Sequence, residues 1–329
     1  MAQLYSFQQG VKDFPRTCLR GVGQVMFQDN LWTGILFLAG IIWGAYSEGQ
    51  GTVAWGVVVG TVVSTLTGYI LQLPDQNGAN GLWGFNGCLV GAAFPTFMGN
   101  TFWMWSALVL CSAFSVWLRS GMDNVLGRWN MSSFTFPFVL STYFFLLASR
   151  LFASMPPEFM GSPEFPTLAS GGHLDLGFGH LVVYWLKGIS QVFLINSWVT
   201  GIFFLAGLAV SNIRAAVWAA ISSAVALLVV CLYKGPANNI AEGLYGFSAV
   251  LTGIALGATY CNNSWKTWIW TLLGIVMTVF IQAAMNAFFL PMGLPTLTGP
   301  FCVATWMFLF PNYSFFQPKP STTQPVSKK

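Results

Sequence analysis

Two glutamines in matching apolar surroundings are the first side chains that could bind a polar solute. Gln24 occurs in the segment Gly-Val-Gly-Gln-Val, and Gln191 occurs in Gly-Ile-Ser-Gln-Val. A buried side-chain amide without a partner costs about 1–3 kcal/mol, so each glutamine should bond either a neighbouring helix or a solute. A helix-to-helix hydrogen bond is the simpler interpretation. Its occurrence in both segments favours a shared role in binding.

Two threonines have a similar arrangement beside prolines. Thr135 and Thr298 each stand two residues before a Pro-Phe pair that begins at Pro137 or Pro300. A threonine in a membrane helix often bonds its own i−4 carbonyl, so a purely structural role stays open. Proline removes an amide donor and frees a carbonyl upstream. The pattern therefore predicts an interrupted helix whose oxygens suit a solute rich in N–H groups.

Two phenylalanines occupy the same place in two copies of a Gly-Leu-aromatic-Gly-Phe block. They are Phe85 and Phe247, and among 30 phenylalanines any single one is most simply a core residue. Flat rings opposed across a pore would form a slot that admits thin planar molecules. Leu89 and Leu251 would close the sides of that slot, and Phe27 is a further candidate for it.

The elements that carry these residues are predicted to be membrane helices. Of the 329 residues, 55% are hydrophobic and 7% are charged, whereas soluble domains carry about 25% charged residues. Apolar stretches of spanning length cover residues 51–73, 101–118, 215–233 and 268–290. This composition indicates an all-α polytopic membrane protein and excludes an ordinary soluble globule.

The charges indicate the orientation of the chain in the membrane. Basic residues precede the first apolar run and follow the last one: Lys12, Arg16, Arg20, Lys319, Lys328 and Lys329. The positive-inside rule then places both ends in the cytoplasm, which requires an even number of crossings. The net charge of +4 is an orientation signal, and no nucleic-acid-binding patch is visible. Without long regulatory tails, the chain is expected in a bacterial inner membrane.

The chain also contains an internal repeat. Shifting the sequence by about 165 residues aligns both glutamine segments, both glycine-rich blocks (81–91 and 243–253) and both threonine segments. We therefore expect two halves, residues 1–165 and 166–329, joined by a Pro-, Gly- and Ser-rich loop at 153–179. Five crossings per half would invert the second copy relative to the first. The glycine-rich blocks are expected to lead into re-entrant half-helices.

At this point the residues resemble a known family, the urea transporters, which are channels found in bacteria and in vertebrate kidney and red cells. The most specific resemblance is the run Leu-Pro-Thr-Leu-Thr-Gly-Pro-Phe that ends at Phe301, together with the two Gly-Leu-aromatic-Gly-Phe blocks and the run Arg20-Gly-Val-Gly-Gln. The resemblance covers nearly the whole chain. The sequence departs from the family pattern where Met131-Ser132 replaces Leu-Pro, and Leu194 stands at the repeat position of Phe27.

The resemblance implies a fold and a set of pore residues. The fold would have five crossing helices and one half-helix per half, in two inverted-topology repeats, with three protomers in a homotrimer and one pore through each. Urea would pass in single file along an oxygen ladder of Gln24, Gln191, Thr135 and Thr298. The slots would consist of Phe27, Phe85 and Leu89 on one side of the pore centre and Val192, Phe247 and Leu251 on the other. The expected partners are urea and the lipid bilayer, and no cofactor is expected.

The residues give less support to other functions than to passive urea transport. An ammonium channel would want a pair of pore histidines, but His173 and His180 lie at the loop between the halves. An ion-coupled transporter commonly needs membrane-embedded acids, and only Asp29, Glu242 and Glu48 lie near apolar segments. An enzyme would need a metal-ligand spacing, a phosphate loop or a catalytic triad, and none is visible. The sequence therefore favours a passive channel for urea.

Overall fold

A computed structural model describes residues 7–71, 73, 78, 80–167 and 172–311, and this part of the chain is helical without strands. The helices before the central loop are α1 Phe7–Gln24, α2 Leu31–Ser47, α3 Gly51–Ile70, α4 Phe85–Phe97, α5 Phe102–Leu126 and α6 Phe136–Ser149. Those after it are α7 Phe178–Ser190, α8 Trp198–Ser211, α9 Ile213–Leu232, α10 Ala237–Ala241, α11 Phe247–Ile254, α12 Trp265–Phe289 and α13 Gly299–Leu309. A π-helical turn, Ala255–Tyr260, extends α11.

Four helices in the described ranges are long and apolar enough to cross a membrane: Gly51–Ile70, Phe102–Trp129, Ile213–Leu232 and Trp265–Met292. They coincide with the four apolar stretches predicted from the sequence. A fifth span is possible if α7 and α8, which meet at an angle of 71°, form one broken crossing. Several crossings are therefore confirmed, whereas the count of five per half stays a prediction.

The first of the glycine-rich blocks leads into a helix too short to cross the bilayer. Helix α4 has 13 residues, which span about 20 Å at 1.5 Å per residue. The hydrocarbon core is about 30 Å thick. The π-helical extension of α11 likewise ends at Tyr260. These lengths fit half-helices of the kind that the sequence predicts.

The outer surface is apolar in a way that a bilayer, but not water, would favour. Large apolar side chains such as Trp43, Leu110, Leu228 and Met307 are exposed on four different helices. Soluble proteins rarely expose apolar patches of more than a few hundred Å². Together with the long apolar helices, this surface identifies a multi-pass membrane protein.

Local sequence explains where the two longest helices begin. Thr101 accepts a hydrogen bond from the Met104 amide at 3.1 Å, and Ser264 accepts one from the Thr267 amide at 3.2 Å. A hydroxyl at this position satisfies an amide that has no partner within the helix. The same capping chemistry therefore starts α5 and α12 at corresponding places in the two halves.

Small residues let α3 and α4 approach closely. A Cβ atom added to Gly60 would lie 2.1 Å from the carbonyl oxygen of Gly87, and one added to Gly56 would lie 2.1 Å from that of Gly91. Membrane helices commonly use such glycine faces because their association depends on close packing. The short helix α4 is thus fixed against a full-length neighbour.

Contacts between α2 and α8 are reciprocal. Thr33 donates to the carbonyl of Gly207 at 2.7 Å, and Thr200 donates to that of Gly40 at 2.7 Å. Thr33 and Thr200 are repeat equivalents, as are Gly40 and Gly207. When residue i of one unit contacts j of the other and j contacts i, the two units are related by a two-fold axis. The same pair of equivalent residues therefore makes the α2–α8 contact in both directions.

Unusual backbone conformations also occur at matching positions. The pairs with positive φ are Phe27 (63°) with Leu194 (60°), Phe134 (51°) with Leu297 (49°), and Gly81 (82°) with Gly243 (73°). For residues other than glycine this conformation costs roughly 1–2 kcal/mol each. Such strain persists where surrounding structure enforces it, and it concentrates at functional sites. All three pairs lie in segments that lead into the predicted site.

The segment between α6 and α7, residues 150–177, lies close to the predicted loop range of 153–179. Helix α7 begins at Phe178, so His180 belongs to its first turn and the prediction that this histidine belongs to the loop is wrong. The imidazole Nδ1 of His180 lies 3.0 Å from Asp175 Oδ2. The pKa of Asp175 is lowered because the Gly177 amide donates to its carboxylate and His180 lies beside it. Both ring and carboxylate are exposed, so they do not form a pore histidine site.

Candidate functional site

Four helices begin deep inside the protein at the residues that the sequence singled out. Phe85 opens α4 and Phe247 opens α11, while Thr135 and Thr298 occupy the N-cap positions of α6 and α13. Helix α4 packs against α6, and α11 packs against α13. The first amides of a helix have no partner within it, and its N-terminus carries a partial positive charge. The arrangement brings several such ends into one apolar interior.

The two threonines meet directly. The hydroxyl oxygens of Thr135 and Thr298 lie 2.6 Å apart, and each residue is 3% exposed. Thr135 also lies 3.4 Å from the sulfur of Cys302. The alternative of a bond to the threonine's own i−4 carbonyl is not what the geometry shows. Residues 163 positions apart in the sequence therefore form one polar point at the centre of the helix ends.

Proline acts at these sites by starting helices. Pro137 and Pro300 occupy the first turn of α6 and α13, where a missing amide hydrogen costs nothing. The departure at Met131-Ser132 does not change the backbone, because Phe134 (φ 51°) and Leu297 (φ 49°) have the same conformation. The break that the sequence predicted is present in both halves.

The two glutamines make equivalent hydrogen bonds. The amide nitrogen of Gln24 donates to the backbone carbonyl of Asn80 at 2.8 Å, and that of Gln191 donates to the carbonyl of Glu242 at 3.0 Å. Each acceptor directly precedes the positive-φ glycine of its block. The hydrogen bond to a neighbouring segment that the sequence suggested is therefore present for both glutamines. It leaves the amide oxygens, which make no hydrogen bond within the described residues, as acceptors at the edge of the site.

Phe27 lies in an aromatic cluster formed by residues from both halves. Its ring centroid is 6.3 Å from that of Phe134, 5.9 Å from that of Tyr260 and 6.0 Å from that of Phe301, all in edge-to-face geometry. The equivalent position in the second half carries Leu194 with the same backbone conformation. The two sides of the site therefore share a backbone conformation at this position, but only the first half has an aromatic ring there.

The remaining predicted residues are buried around these elements. Phe85 and Phe247 are each 6% exposed, and within the described residues their rings make no contact with each other. Leu89, Leu251 and Val192 are buried as well. Their positions agree with a slot and equally with simple core packing. The slot role of these five residues stays a prediction.

Sequence reasoning missed two pairs of buried polar atoms. The amide nitrogen of Asn86 and the hydroxyl of Ser248 occupy equivalent second positions in α4 and α11, and neither has a hydrogen-bond partner among the described residues. The hydroxyls of Thr142 and Thr305, also repeat equivalents, have none either. An unpaired buried group costs about 1–3 kcal/mol. The signal was available, because all four stand at matching places inside the repeated blocks.

An ion pair was also missed. Helix α5 continues eight residues past the predicted end at Leu118, to Leu126, and it carries Arg119 and Asp123. Arg119 Nε lies 3.3 Å from Asp123 Oδ2. The statement that only Asp29, Glu242 and Glu48 lie near apolar segments is therefore wrong. Of those three, Glu242 is exposed and Asp29 lies 3.3 Å from Arg20.

Comparison with known proteins agrees with this geometry. The family model described as urea transporter matches residues 16–313. The chain belongs to the urea transporter family. It is 31% identical to urea transporter 1 of Ovis aries over 317 residues, which cover 92% of this chain and 80% of that protein. It is 29% identical to urea transporter 1 of Rattus norvegicus over 308 residues, covering 91% and 77%.

Membership settles the broad class of function. Urea transporter family members move urea across a membrane and are not enzymes, and the apolar helices described above place this chain in the membrane. The match spans both threonine helices and both glutamine segments. The site described here therefore lies within the part of the chain that defines the family.

Proposed function

We propose that this chain is a passive channel for urea, which moves down its concentration gradient past the Thr135–Thr298 contact. The observation that carries the proposal is this 2.6 Å hydroxyl pair, placed where α6 and α13 begin inside the protein. Urea is planar and neutral, with four N–H donors and one carbonyl. It needs acceptors for the former and a donor for the latter, and it needs no charged partner.

The oxygens available along the site suit the urea N–H groups. Beyond the two threonines, Gln24 and Gln191 each offer an amide oxygen, one in each half of the repeat. Neither oxygen accepts a hydrogen bond within the described residues. A threonine hydroxyl that gives up its partner can accept from urea and donate to its carbonyl. A net hydrogen bond contributes about 0.5–1.5 kcal/mol. This is enough to replace lost water contacts without trapping the solute.

The rings and helix ends supply selectivity in this proposal. Phe27 and Phe85 on one side, and Phe247 with Val192 on the other, would confine a flat solute, with Leu89 and Leu251 closing the sides. Helix N-termini carry a partial positive charge of about half an electron each. Several of them facing one interior disfavour a cation and favour the urea carbonyl oxygen. Both effects act on a neutral planar molecule in the right direction.

Ion coupling is the alternative, and the charged groups argue against it. Coupled transporters commonly bind their ion at membrane-embedded acids. Gln24, Gln191, Thr135 and Thr298 do not titrate, and Glu242 contributes its backbone carbonyl to Gln191 while its side chain is exposed. These four residues offer no group that would couple urea movement to a proton, and Asp123, the acid in the α5 span, is paired with Arg119. The same reasoning leaves a channel for another small neutral solute as the second alternative.

The deciding experiment is urea uptake into proteoliposomes that contain the purified protein. Uptake should proceed with no proton or sodium gradient, stop when internal and external urea are equal, and stay constant between pH 5.5 and 8. Strict dependence on either ion gradient would overturn the proposal. Acetamide and formamide, measured in the same vesicles, test the alternative of a general channel for small amides.

We infer the same architecture that the sequence suggested: two inverted-topology repeats, residues 1–165 and 166–329, with about five crossings and one half-helix each. The reciprocal α2–α8 contacts and the paired positive φ values support a two-fold relation. Inversion requires an odd number of crossings per half. Single cysteines that replace Asn100 and Asn263, which are exposed and repeat-equivalent in the loops before α5 and α12, should be labelled from opposite sides of the membrane. Labelling from one side would refute inversion.

Assembly and location complete the proposal. We expect a homotrimer with one pore per protomer, both termini in the cytoplasm, and a bacterial inner membrane as the site of action. The basic residues Arg16 and Arg20 in α1 support the orientation of the N-terminus. Lys319, Lys328 and Lys329, on which the C-terminal orientation rests, lie outside the described residues. Light scattering of the detergent-solubilised protein would measure the subunit number.

A further inference from the structure

Arg119 is an arginine inside a helix long and apolar enough to span the membrane. Its side chain is 12% exposed, and that of its partner Asp123 is 28% exposed. Charged groups in such helices are costly and rare, and by default they indicate a function. Neither the threonine pair nor the glutamines account for it.

The contacts of Arg119 converge on the Phe85 side of the site. Its guanidinium donates to the backbone carbonyl of Leu82, three residues before Phe85. The guanidinium carbon lies 5.3 Å from the centroid of the Phe85 ring. Asp123 accepts a hydrogen bond from the Ser133 amide at 2.9 Å, just before Thr135. The ion pair thus connects the two segments that lead into α4 and α6.

The second half makes a corresponding connection without charge. The repeat equivalents of Arg119 and Asp123 are Gln282 and Asn286. The Gln282 amide donates to Asn286 at 3.2 Å and to the hydroxyl of Thr296 at 2.6 Å. Thr296 is the equivalent of Ser133. Because neutral amides serve this structural purpose in one half, holding the fold does not explain why the other half carries a charge.

We propose that Arg119 is a specificity-determining residue that makes the Phe85 side of the pathway reject planar cations such as guanidinium while admitting neutral urea. This inference rests on the proposed function. Guanidinium has the shape and N–H groups of urea, so the rings and oxygens alone would not distinguish them. Their charge does. The positive end of the ion pair faces the Phe85 ring, and the carboxylate of Asp123 is turned toward Ser133.

The physical reason lies in the ring and its bound cation. The face of an aromatic ring attracts cations because it carries negative potential. Arg119 already occupies one face of Phe85, so a second cation on the opposite face meets both a weakened ring and a like charge. That second cation would lie roughly 9 Å from the guanidinium. The Asp123 carboxylate contacts Nε of Arg119 and is turned toward Ser133, so the repulsion by the guanidinium exceeds the attraction to the carboxylate. Neutral urea is affected by neither.

The test compares guanidinium as a competitor of urea uptake in proteoliposomes that carry one of four proteins: wild type, R119Q/D123N, D123N and R119K. The double variant installs the amide pair that the second half already uses. We expect the guanidinium concentration that halves urea uptake to fall at least about twofold, because the net repulsion is removed. In D123N it should rise about five- to tenfold, because Arg119 keeps its charge and loses its counter-charge. R119K keeps the charge and should resemble wild type.

Neutral acetamide is the matched competitor and should shift less than about twofold in all variants, because it does not sense the charge. A merely structural role would move guanidinium and acetamide together, in one direction for both D123N and R119Q/D123N, and that result would overturn the proposal. Unchanged guanidinium inhibition in both variants would overturn it as well. If R119Q/D123N does not fold, D123N and R119K decide by the same criteria. Absence of urea uptake in wild type would refute the proposed function separately.

Discussion

The substitution Thr298→Val probes the centre of the site with little change in shape. Valine replaces the hydroxyl with a methyl group, which removes the 2.6 Å contact with Thr135. The side chain is 3% exposed and its backbone caps α13 without using the hydroxyl. The change should therefore leave the start of that helix intact. What it removes is one donor and acceptor at the meeting point of the two halves.

The size of the effect follows from one hydrogen bond. A net bond is worth about 0.5–1.5 kcal/mol, and 1.36 kcal/mol corresponds to a factor of about ten in rate. If urea exchanges bonds with Thr298 at its highest barrier, its uptake should slow by about 2- to 10-fold. Thr135→Val should do the same, since the pair is reciprocal. The double variant should slow urea uptake by less than the product of the two single effects, because the second change removes a hydroxyl that is already unpaired.

The assay is the initial rate of urea uptake per mole of folded protein, with folding checked by the thermal midpoint in detergent. Thr67→Val is the matched control, because Thr67 bonds the carbonyl of Val63 in its own helix at 2.8 Å and lies away from the site. It should transport at the wild-type rate. Equal rates for wild type, Thr298→Val and Thr135→Val would refute the oxygen-ladder reasoning.

Two further substitutions test the surroundings of the site. Gln191→Leu deletes the donor to Glu242 and the acceptor offered to urea, so uptake per folded protein should fall about tenfold; an unchanged rate would remove Gln191 from the ladder. Gly60→Ala would press a methyl group against the Gly87 carbonyl at 2.1 Å and should destabilise the protein by about 1–3 kcal/mol. Gly121 also lies in a helix, but a Cβ atom added there would have no neighbour within 4 Å. Gly121→Ala should therefore stabilise the protein by about 0.5–1 kcal/mol. Thermal midpoints in detergent that move together would contradict this packing argument.

The polar residues of the candidate site were predictable because the chain carries them twice. Thr135 with Thr298 and Gln24 with Gln191 stand at equivalent repeat positions, and the family match covers all four. The sequence also predicted the broken backbone, although Met131-Ser132 departs from the family pattern there. The structure has the break in both halves, because the local conformation depends on the Pro-containing helix starts that both halves share. Two residues of the motif can thus be replaced while the backbone conformation is kept.

Arg119 and Asp123 were missed for a different reason. A hydropathy argument ends an apolar segment at the first charge, so the predicted stretch stopped at Leu118, one residue before Arg119. The helix continues to Leu126 because Arg119 and Asp123 lie one turn apart and pair with each other. The cost of each charge is reduced by its neighbour, and this cannot be read from the charge of either residue alone.

Composition and the length of the apolar stretches by themselves determined that the chain is a helical membrane protein. Its low charge and long apolar runs admit little else, because every backbone group in lipid must be paired within the structure. The repeat and its motifs determined the family. Only the tertiary structure decided which repeated residues meet: Thr135 contacts Thr298, whereas Gln24 and Gln191 bond Asn80 and Glu242. Such contacts depend on how helices far apart in the sequence pack, and spacing along one chain does not contain that information.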